Sequence, residues 1–163
     1  MTVRLATPDD ADAIAAMLAR LADETGDGAR FASTPATIRA HGFGPGALFE
    51  TMIAGPGSAA IGLALFFRHY STTRGQPGVY VQDLWTAPET RGQGLGAGLI
   101  GAVAKHASAH WGARYLKLTT HGDNAAARAF YARLGFAAHP DDVPMMLDGA
   151  AFDGLGACAE SAA

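Results

Sequence analysis

The stretch Val79-Tyr-Val-Gln-Asp-Leu-Trp-Thr-Ala-Pro-Glu-Thr-Arg-Gly-Gln-Gly-Leu-Gly96 decides the fold. An apolar segment predicted to be a strand runs into a turn with a proline, then a glycine-rich loop, then a long amphipathic helix. Gly92, Gly94 and Gly96 permit backbone conformations closed to other residues and let a ligand approach the main chain. The loop opens a helix, whose free N–H groups attract anions. These features predict a site for a phosphate-bearing cofactor, to which Arg91 adds a positive charge.

Two other phosphate-binding motifs are discounted at this loop. Gly96, Gly98 and Gly101 match the G-x-G-x-x-G pattern of dinucleotide sites, but they fall inside the helical pattern, beyond the turn where a pyrophosphate would lie. The lysine of a P-loop is missing. We interpret Gly98 and Gly101 as positions of tight helix packing.

The composition indicates an ordinary folded domain. The chain has 163 residues, of which 49% are hydrophobic and 17% charged, which argues against disorder. A net charge of −3 gives no electrostatic basis for binding nucleic acid. The single cysteine, Cys158, is interpreted as a free thiol without function. No signal peptide and no apolar run of roughly 20 residues is found, so we expect no membrane partner and a cytoplasmic location.

Strand and helix patterns alternate along the chain. Helices are predicted after Thr7, from Thr34 to about His41, from Arg91 to about Trp111 and from Asn124 to Leu134, and a loop is predicted over 23–32. Strands are predicted at Val3–Ala6, Leu48–Ala54, Ala59–His69, Val79–Thr86, Arg114–Thr120, Phe136–His139 and Val143–Leu147. Hairpins on one side and a strand–helix–strand crossover on the other predict a mixed α/β fold, a sheet with flanking helices. We expect one domain over residues 1–148 and a C-terminal tail over 149–163 with few signals of order.

Three separated motifs carry a family resemblance. The loop Arg91-x-x-Gly94-x-Gly96 is followed by Asn124-x6-Tyr131 and then by Leu-Gly-Phe at 134–136. This order and spacing resembles the GCN5-related N-acetyltransferases (the GNAT family), from about residue 3 to about residue 148. The segments His41–Gly44 and Tyr80–Asp83 are similar to the branch that acetylates diamines, spermidine and thialysine. The resemblance implies the GNAT acyl-CoA N-acyltransferase fold, with a mostly antiparallel sheet.

The resemblance also implies an activity and a co-substrate. In the family, the loop binds the pyrophosphate of acetyl-coenzyme A (acetyl-CoA), and a tyrosine matching Tyr131 protonates the departing thiolate. The acceptor is then the primary amine of a small molecule, a thialysine-like amino acid or a short diamine, with an N-terminal peptide amine as an open alternative, and the enzyme is a homodimer. Asn124 has two compatible roles, since it is a favoured N-cap and matches a residue near the pantetheine arm. The implied cofactor-binding residues are Leu84, Trp85, Thr86, Arg91, Gly92, Gln93, Gly94, Leu95, Gly96, Asn124 and Tyr131.

Among the residues expected near the acceptor, this chain differs from the polyamine branch at one position. Where the polyamine branch has Glu-Asp, this chain has Gln82 and Asp83, and a glutamine cannot act as a base or pair ionically with an ammonium group. Asp83 is retained as the catalytic acid–base candidate, and Gln82, Asp83 and Trp85 are the expected substrate-binding residues. Gln82 gives weight to an alternative function, a catalytically weak acetyl-CoA sensor, whereas an intact Tyr131 argues against it. The acids expected on the acceptor side are Asp23, Glu24, Asp27 and Asp83.

The histidines give no metal site. His106 and His110 lie four apart on a helix, a spacing found for metal ligands, but no third ligand is evident nearby. We interpret them as surface or packing residues. His69 and Tyr70 are interpreted as a solvated strand end, with a place in the acceptor pocket as the alternative. Trp85 is either a core residue or a pocket wall.

Overall fold

The computed structural model describes residues 2–139 and 143–160. The chain divides into two compact units, a first unit of residues 1–123 and a second unit of residues 124–163. The first unit holds the whole sheet and three helices, and the second unit holds two helices. The expectation of one domain over residues 1–148 stays a prediction.

A five-stranded sheet forms the centre of the first unit, with strands in the order β1-β2-β3-β4-β5. The pairs are antiparallel except for β4 and β5, which are parallel, so the predicted mixed and mostly antiparallel sheet is confirmed. The parallel pair follows from the long helix that connects its strands and carries the chain back across the sheet. The strands are β1 (Val3–Leu5), β2 (Glu50–Ala54), β3 (Gly62–Ser71), β4 (Gln76–Thr86) and β5 (Leu116–Leu118).

Helices cover both faces of the sheet. One face, here called the α1 face, packs against α1 (Ala11–Thr25) and α2 (Pro35–Gly42), and its core includes Leu63, Leu65 and Trp85. The other, the α3 face, packs against α3 (Leu95–Trp111), where the ring of Phe66 lies 5.8 Å from His106. The amphipathic pattern predicted for this helix is confirmed, since its buried residues recur at helical spacing: Leu95, Leu99, Ile100, Val103 and Ala107.

An ion pair with a buried carboxylate lies at the start of α1. Asp10 is 3% exposed, and its two carboxylate oxygens accept hydrogen bonds of 2.7 and 2.8 Å from the guanidinium of Arg4 on β1. The same carboxylate accepts from the backbone N–H of Thr7 at 2.8 Å. These bonds to the charged form, chiefly that from Arg4, lower the pKa of Asp10 to about 2.

The loop predicted over 23–32 begins three residues later than expected, at Gly26. Helix α1 continues to Thr25 and ends at Gly26, which has φ +85°. Within the last turn, Thr25 Oγ1 donates a hydrogen bond of 3.0 Å to Leu21 O. The polar residues Asp23 and Glu24 are therefore helical because they lie on the exposed side of the last turn, where polarity does not oppose a helix.

The second unit contains α4 (Ala125–Arg133) and α5 (Gly149–Glu160). Asn124 caps α4, since its Oδ1 accepts from the N–H of Ala127 at 2.9 Å, and Gly135 with φ +91° follows the helix end. The tail expected to lack order signals is helical over Gly149–Glu160, and residues 161–163 lie outside the described residues.

The prediction of two strands at Phe136–His139 and Val143–Leu147 is wrong. Neither segment has strand structure. A strand needs a partner for its backbone groups and a surface on which to bury one face. Val143 and Met145 are 78% and 95% exposed, so this apolar segment buries neither face.

Candidate functional site

The glycine loop forms an open cradle at the N-terminus of α3. Gly92 and Gly94 have φ values of +76° and +83°, which other residues rarely adopt. No atom of the first unit lies within 4 Å of the point where a Cβ on either glycine would stand. The first helical hydrogen bond joins Gly98 N–H to Gly94 O at 2.9 Å, so the N–H groups of the preceding turn have no helical partner. The loop therefore fits an anionic group such as a pyrophosphate, since it combines free space with N–H donors.

Arg91 lies beside this loop and forms an ion pair with Glu24, a pairing that the sequence did not predict. Its Nη2 lies 2.6 Å from Glu24 Oε2 near the end of α1, and its Nε donates to Thr86 O at 3.1 Å. Glu24 Oε1 also accepts from Trp85 Nε1 at 3.0 Å. Glu24 thus connects α1 to both β4 and the loop. Its separation of 67 residues from Arg91 leaves no local sequence signal for this pairing.

A β-bulge in β4 sets the direction of the site's side chains. In the register between β3 and β4, Phe66 pairs with Val81 and Leu65 pairs with Asp83, so Gln82 is the extra residue. Side chains alternate between faces along a strand, and one extra residue reverses that alternation. Without the bulge, Asp83 and Trp85 would follow Val81 onto the α3 face. With it, Asp83 lies on the α1 face with Leu65.

The sheet opens between β4 and β5. Pairing of the two strands ends at Val81 with Leu118, whereas β4 continues to Thr86. The N–H of Ala87 bonds to Ile61 O on the β3 side at 2.8 Å. Because hydrogen-bonding directions alternate along an antiparallel strand, the backbone groups of Leu84 and Thr86 point away from β3, into this opening.

The three expected substrate-binding residues differ in burial. Trp85 is 3% exposed and belongs to the core of the α1 face, so its side chain is not a pocket wall. Gln82 is exposed, and Asp83 is half-buried. Burial raises the pKa of Asp83 above its ordinary value, and a hydrogen bond from the Gln82 side chain partly opposes this rise. Asp83 is the one acid among these three residues, and its raised pKa suits it to exchange a proton.

Aromatic side chains lie beside Asp83 on the α1 face. The rings of Phe67 and Tyr80 stack with centroids 5.0 Å apart, and Tyr80 Oη donates to Thr119 Oγ1 at 2.9 Å, just beyond the end of β5. His69 Nδ1 is hydrogen-bonded to Tyr115 Oη, so His69 is part of an aromatic cluster rather than a solvated strand end. Tyr70, in contrast, is 61% exposed, as expected.

His106 and His110 are packing and surface residues, as predicted: His106 is half-buried and His110 is exposed. His106 Nε2 lies 2.8 Å from Glu50 Oε2, and its ring stacks on that of His110 with centroids 4.0 Å apart. Over residues 2–139 and 143–160, no group of three or more His, Cys, Asp or Glu side chains is arranged to hold a metal ion.

The sequence led us to interpret Gly98 and Gly101 of α3 as positions of tight helix packing. Within the first unit, this interpretation is wrong. Gly98 and Gly101 are exposed, and no atom of residues 2–123 lies within 4 Å of a Cβ built on either one. The close approach of α3 to the sheet occurs instead at Gly62 of β3. A Cβ there would stand 3.2 Å from Leu99 Cδ1 and 3.1 Å from Trp85 O.

Tyr131 lies on α4 of the second unit. Its ring centroid is 5.0 Å from that of Phe130 and 5.4 Å from that of Phe136. Burial raises the pKa of its phenol above 10.0. Tyr131 therefore stays protonated at neutral pH. Asn124 has the capping role, and its role near the cofactor stays a prediction.

Comparison with protein families decides the assignment. Residues 18–136 match the model of the acetyltransferase (GNAT) family, which is well over half of the chain. The chain belongs to the GNAT family. The predicted resemblance is confirmed, and the five-stranded sheet with its flanking helices is the GNAT acyl-CoA N-acyltransferase fold.

The curated relatives of this GNAT protein include thialysine N-epsilon-acetyltransferases. The protein from Bos taurus is 33% identical over 106 residues, which cover 60% of this chain and 61% of the cattle protein. The one from Sus scrofa is 36% identical over 76 residues, covering 42% of this chain and 44% of the pig protein. The match thus spans about three fifths of the first relative and less than half of the second.

Solved structures share the fold of this GNAT protein. An integron cassette protein from the mobile metagenome of V. cholerae superposes with a TM-score of 0.77 at 18% identity, covering 95% of this chain and 96% of that one. An aminoglycoside acetyltransferase from an uncultured soil metagenomic sample gives a TM-score of 0.72 at 18% identity, covering 90% and 98%. Within the described residues, no helix has both the length and the apolar character needed to cross a bilayer.

Proposed function

We propose that this GNAT protein is an acetyl-CoA-dependent N-acetyltransferase that acts on the primary amine of a small molecule. Thialysine-like amino acids are the acceptors to test first, given the names of the curated relatives, and short diamines follow because the resemblance implies them. One observation carries the proposal: β4 loses its parallel partner after Val81 and then runs directly into a glycine loop at a helix N-terminus. This arrangement offers backbone donors both to a thioester and to a pyrophosphate.

The cofactor would be held mainly by backbone groups. N–H groups of Gln93 to Gly96 would bind the pyrophosphate at the N-terminus of α3. The pantetheine arm would lie along Leu84 to Thr86, and the N–H of Leu84 would donate to the thioester carbonyl oxygen, stabilising the charge that develops there. Arg91 would add its charge while its contacts with Glu24 and Thr86 fix the loop. Bound acetyl-CoA supplies the activated acetyl group.

Two proton transfers complete the reaction. A lysine-like amine has a pKa near ~10.4 and arrives protonated, so it must lose a proton before it can attack. A water chain that ends at Asp83 would accept this proton, helped by the raised pKa of that carboxyl. Tyr131 would donate a proton to the departing thiolate, and its raised pKa keeps that proton in place at neutral pH.

Release of free thiol from acetyl-CoA, measured against a panel of amines, tests the proposal. We expect release that depends on the amine and saturates with it. The alternative, an acetyl-CoA sensor with weak catalysis, is supported by Gln82 in place of an acid. Acetyl-CoA binding by calorimetry together with no release for any amine would favour the sensor.

We further propose that the protein is a cytoplasmic homodimer whose catalytic domain spans residues 1–148. Support for the dimer and for these bounds comes from the resemblance. Light scattering coupled to size exclusion measures the mass in solution, and a monomer would contradict the dimer. A truncation after Asp148 should keep acetyl-CoA affinity if residues 149–163 are only a tail.

A further inference from the structure

A hydrogen bond between Tyr80 and Thr119, here called the bridge, lies where β4 and β5 separate. The parallel pairing of the two strands ends at Val81 with Leu118, and Tyr80 itself pairs with Lys117. The hydroxyl of Tyr80 donates to Thr119 Oγ1 at 2.9 Å, two residues beyond its own pairing partner. Because a strand rises about 3.3 Å per residue, the Tyr80 side chain leans roughly 6–7 Å along β5 and spans the narrow end of the opening.

Neighbouring aromatic side chains hold the ring of Tyr80 in this position. The ring stacks on that of Phe67, with centroids 5.0 Å apart and planes 21° apart. The ring of His69 lies 6.4 Å from that of Tyr80, and His69 is in turn hydrogen-bonded to Tyr115. Tyr80 is half-buried, so a rotation of its ring away from Thr119 would break these contacts. The bridge therefore depends on packing against β3 as well as on its hydrogen bond.

The proposed cofactor site directs the acyl group of the bound donor towards the bridge. β4 continues to Thr86 and then leads into the glycine loop at the start of α3, where the pyrophosphate would bind. The pantetheine arm would therefore run back along β4, against the direction of the chain. Its acyl end would reach furthest towards Val81, with the carbonyl oxygen at the N–H of Leu84. The acyl chain beyond that carbonyl thus enters the narrow end of the opening.

The strand length between Leu84 and the bridge leaves room for a short acyl chain. Thr119 follows the partner of Val81, so it lies at about the level of Gln82. From Gln82 to Leu84 the strand rises by at most roughly 6–7 Å. Non-bonded carbon atoms need about 3.5–4.0 Å between them. The methyl of an acetyl group fits within that length, whereas a chain with two more carbons would meet the ring of Tyr80.

We propose that Tyr80 and Thr119 limit the length of the acyl group, so that the protein uses acetyl-CoA in preference to butyryl-CoA. This inference rests on the proposed acetyl transfer and adds the residues that select its acyl donor. The ring of Tyr80 forms the wall that the acyl chain meets, and Thr119 closes the gap between that ring and β5. A longer chain would have to displace a packed ring, which disfavours its binding.

Acetyl-CoA and butyryl-CoA test the inference when they are compared by thiol release and by calorimetry. The acceptor is the amine that gives the fastest release with acetyl-CoA. For the wild type, we expect kcat/KM to be roughly tenfold or more lower with butyryl-CoA, and the affinity for butyryl-CoA to be lower as well. Tyr80→Leu shortens the wall and should raise the butyryl-to-acetyl ratio roughly tenfold or more in both measurements. Thr119→Ala should shift both ratios in the same direction by a smaller factor.

Tyr70→Leu is the matched control. Tyr70 is 61% exposed, and it pairs with Pro77 at the far end of the β3–β4 hairpin from the opening. The same substitution there should keep both wild-type ratios. Thermal melts check that all three variants fold, and Thr119→Ala removes only a small exposed side chain.

Two results would overturn the inference and leave the transferase intact, provided that acetyl-CoA gives amine-dependent thiol release. One is equal use and equal binding of the two donors by the wild type. The other is an unchanged butyryl-to-acetyl ratio in both Tyr80→Leu and Thr119→Ala. If no amine yields thiol release from acetyl-CoA, the transferase is overturned. The affinity ratios from calorimetry then still decide whether the bridge limits the acyl group.

Discussion

Glu24 on α1 and Arg91 in the glycine loop form an ion pair, with Arg91 Nη2 2.6 Å from Glu24 Oε2. The same guanidinium donates to Thr86 O, whose strand segment borders the opening between β4 and β5. The pair therefore connects α1, the end of β4 and the predicted pyrophosphate loop. Its main effect on function is expected to be the position of the loop.

Glu24→Gln tests whether Arg91 acts through this connection. We expect acetyl-CoA affinity to fall roughly threefold and the free energy of unfolding to fall by about 0.5 kcal/mol, since both side chains are partly exposed. Arg91→Ala should weaken affinity as well, and the double variant should be no worse than Arg91→Ala because the two residues act together. Tighter acetyl-CoA binding by Glu24→Gln would show instead that a released Arg91 binds the pyrophosphate directly.

Gly94→Val should abolish measurable acetyl-CoA binding in calorimetry. Its side chain would enter the open space where the pyrophosphate is expected, and its φ of +83° is unfavourable for a β-branched residue. Gly112→Val is the matched control, because Gly112 has φ +70° at the other end of the same helix. Both variants should lose stability by about 1–2 kcal/mol, and only Gly94→Val should lose the ligand. Equal affinity in the two would remove the loop from the cofactor site.

Asp83→Asn separates a chemical role from a structural one. Because burial raises the pKa of Asp83, the folded state binds its proton more tightly than the unfolded state does. That carboxyl therefore costs stability as the pH rises from its ordinary value of 3.8 through the raised value. Asparagine carries no such cost, so we expect unchanged or higher stability in urea at neutral pH. Turnover with amines should fall roughly tenfold or more. A less stable variant with normal turnover would make Asp83 a structural residue.

Asp10→Asn should lower stability in a way that depends on pH. The pKa of Asp10 is lowered from 3.8 to about 2, so its contribution is complete above the unfolded value and is lost as the pH falls through this window. The shift corresponds to about 2 kcal/mol at neutral pH. Urea unfolding of wild type and variant should converge when the pH is lowered through the window. A difference that stays constant with pH would exclude the Arg4–Asp10 pair as its origin.

Local signals in the sequence predicted much of the fold. The glycine loop, the spacing of apolar residues in α3 and the Asn124 cap each act over a few residues, so the sequence alone shows them. The two strands predicted at Phe136–His139 and Val143–Leu147 do not form, and within the described residues neither segment pairs with another strand.

The parts of the site that depend on pairing between distant segments could not be predicted. The bulge at Gln82 exists only in the register between β3 and β4, yet it decides which face Asp83 and Trp85 occupy. Glu24 was expected on the acceptor side as a charge for the amine, but in the structure its carboxylate binds Arg91 and Trp85. The motif His41–Gly44 was recognised by resemblance, and the structure places it at the end of α2.

The central claim is acetyl transfer with Tyr131 as the proton donor, and turnover of Tyr131→Phe tests it most directly. Free-thiol release from acetyl-CoA with a saturating amine should fall roughly tenfold or more in this variant, while calorimetry shows nearly unchanged acetyl-CoA affinity. Since burial raises the pKa of Tyr131, the wild type should keep its activity into mildly alkaline solution. Unaltered turnover of Tyr131→Phe from neutral to mildly alkaline pH would contradict the account.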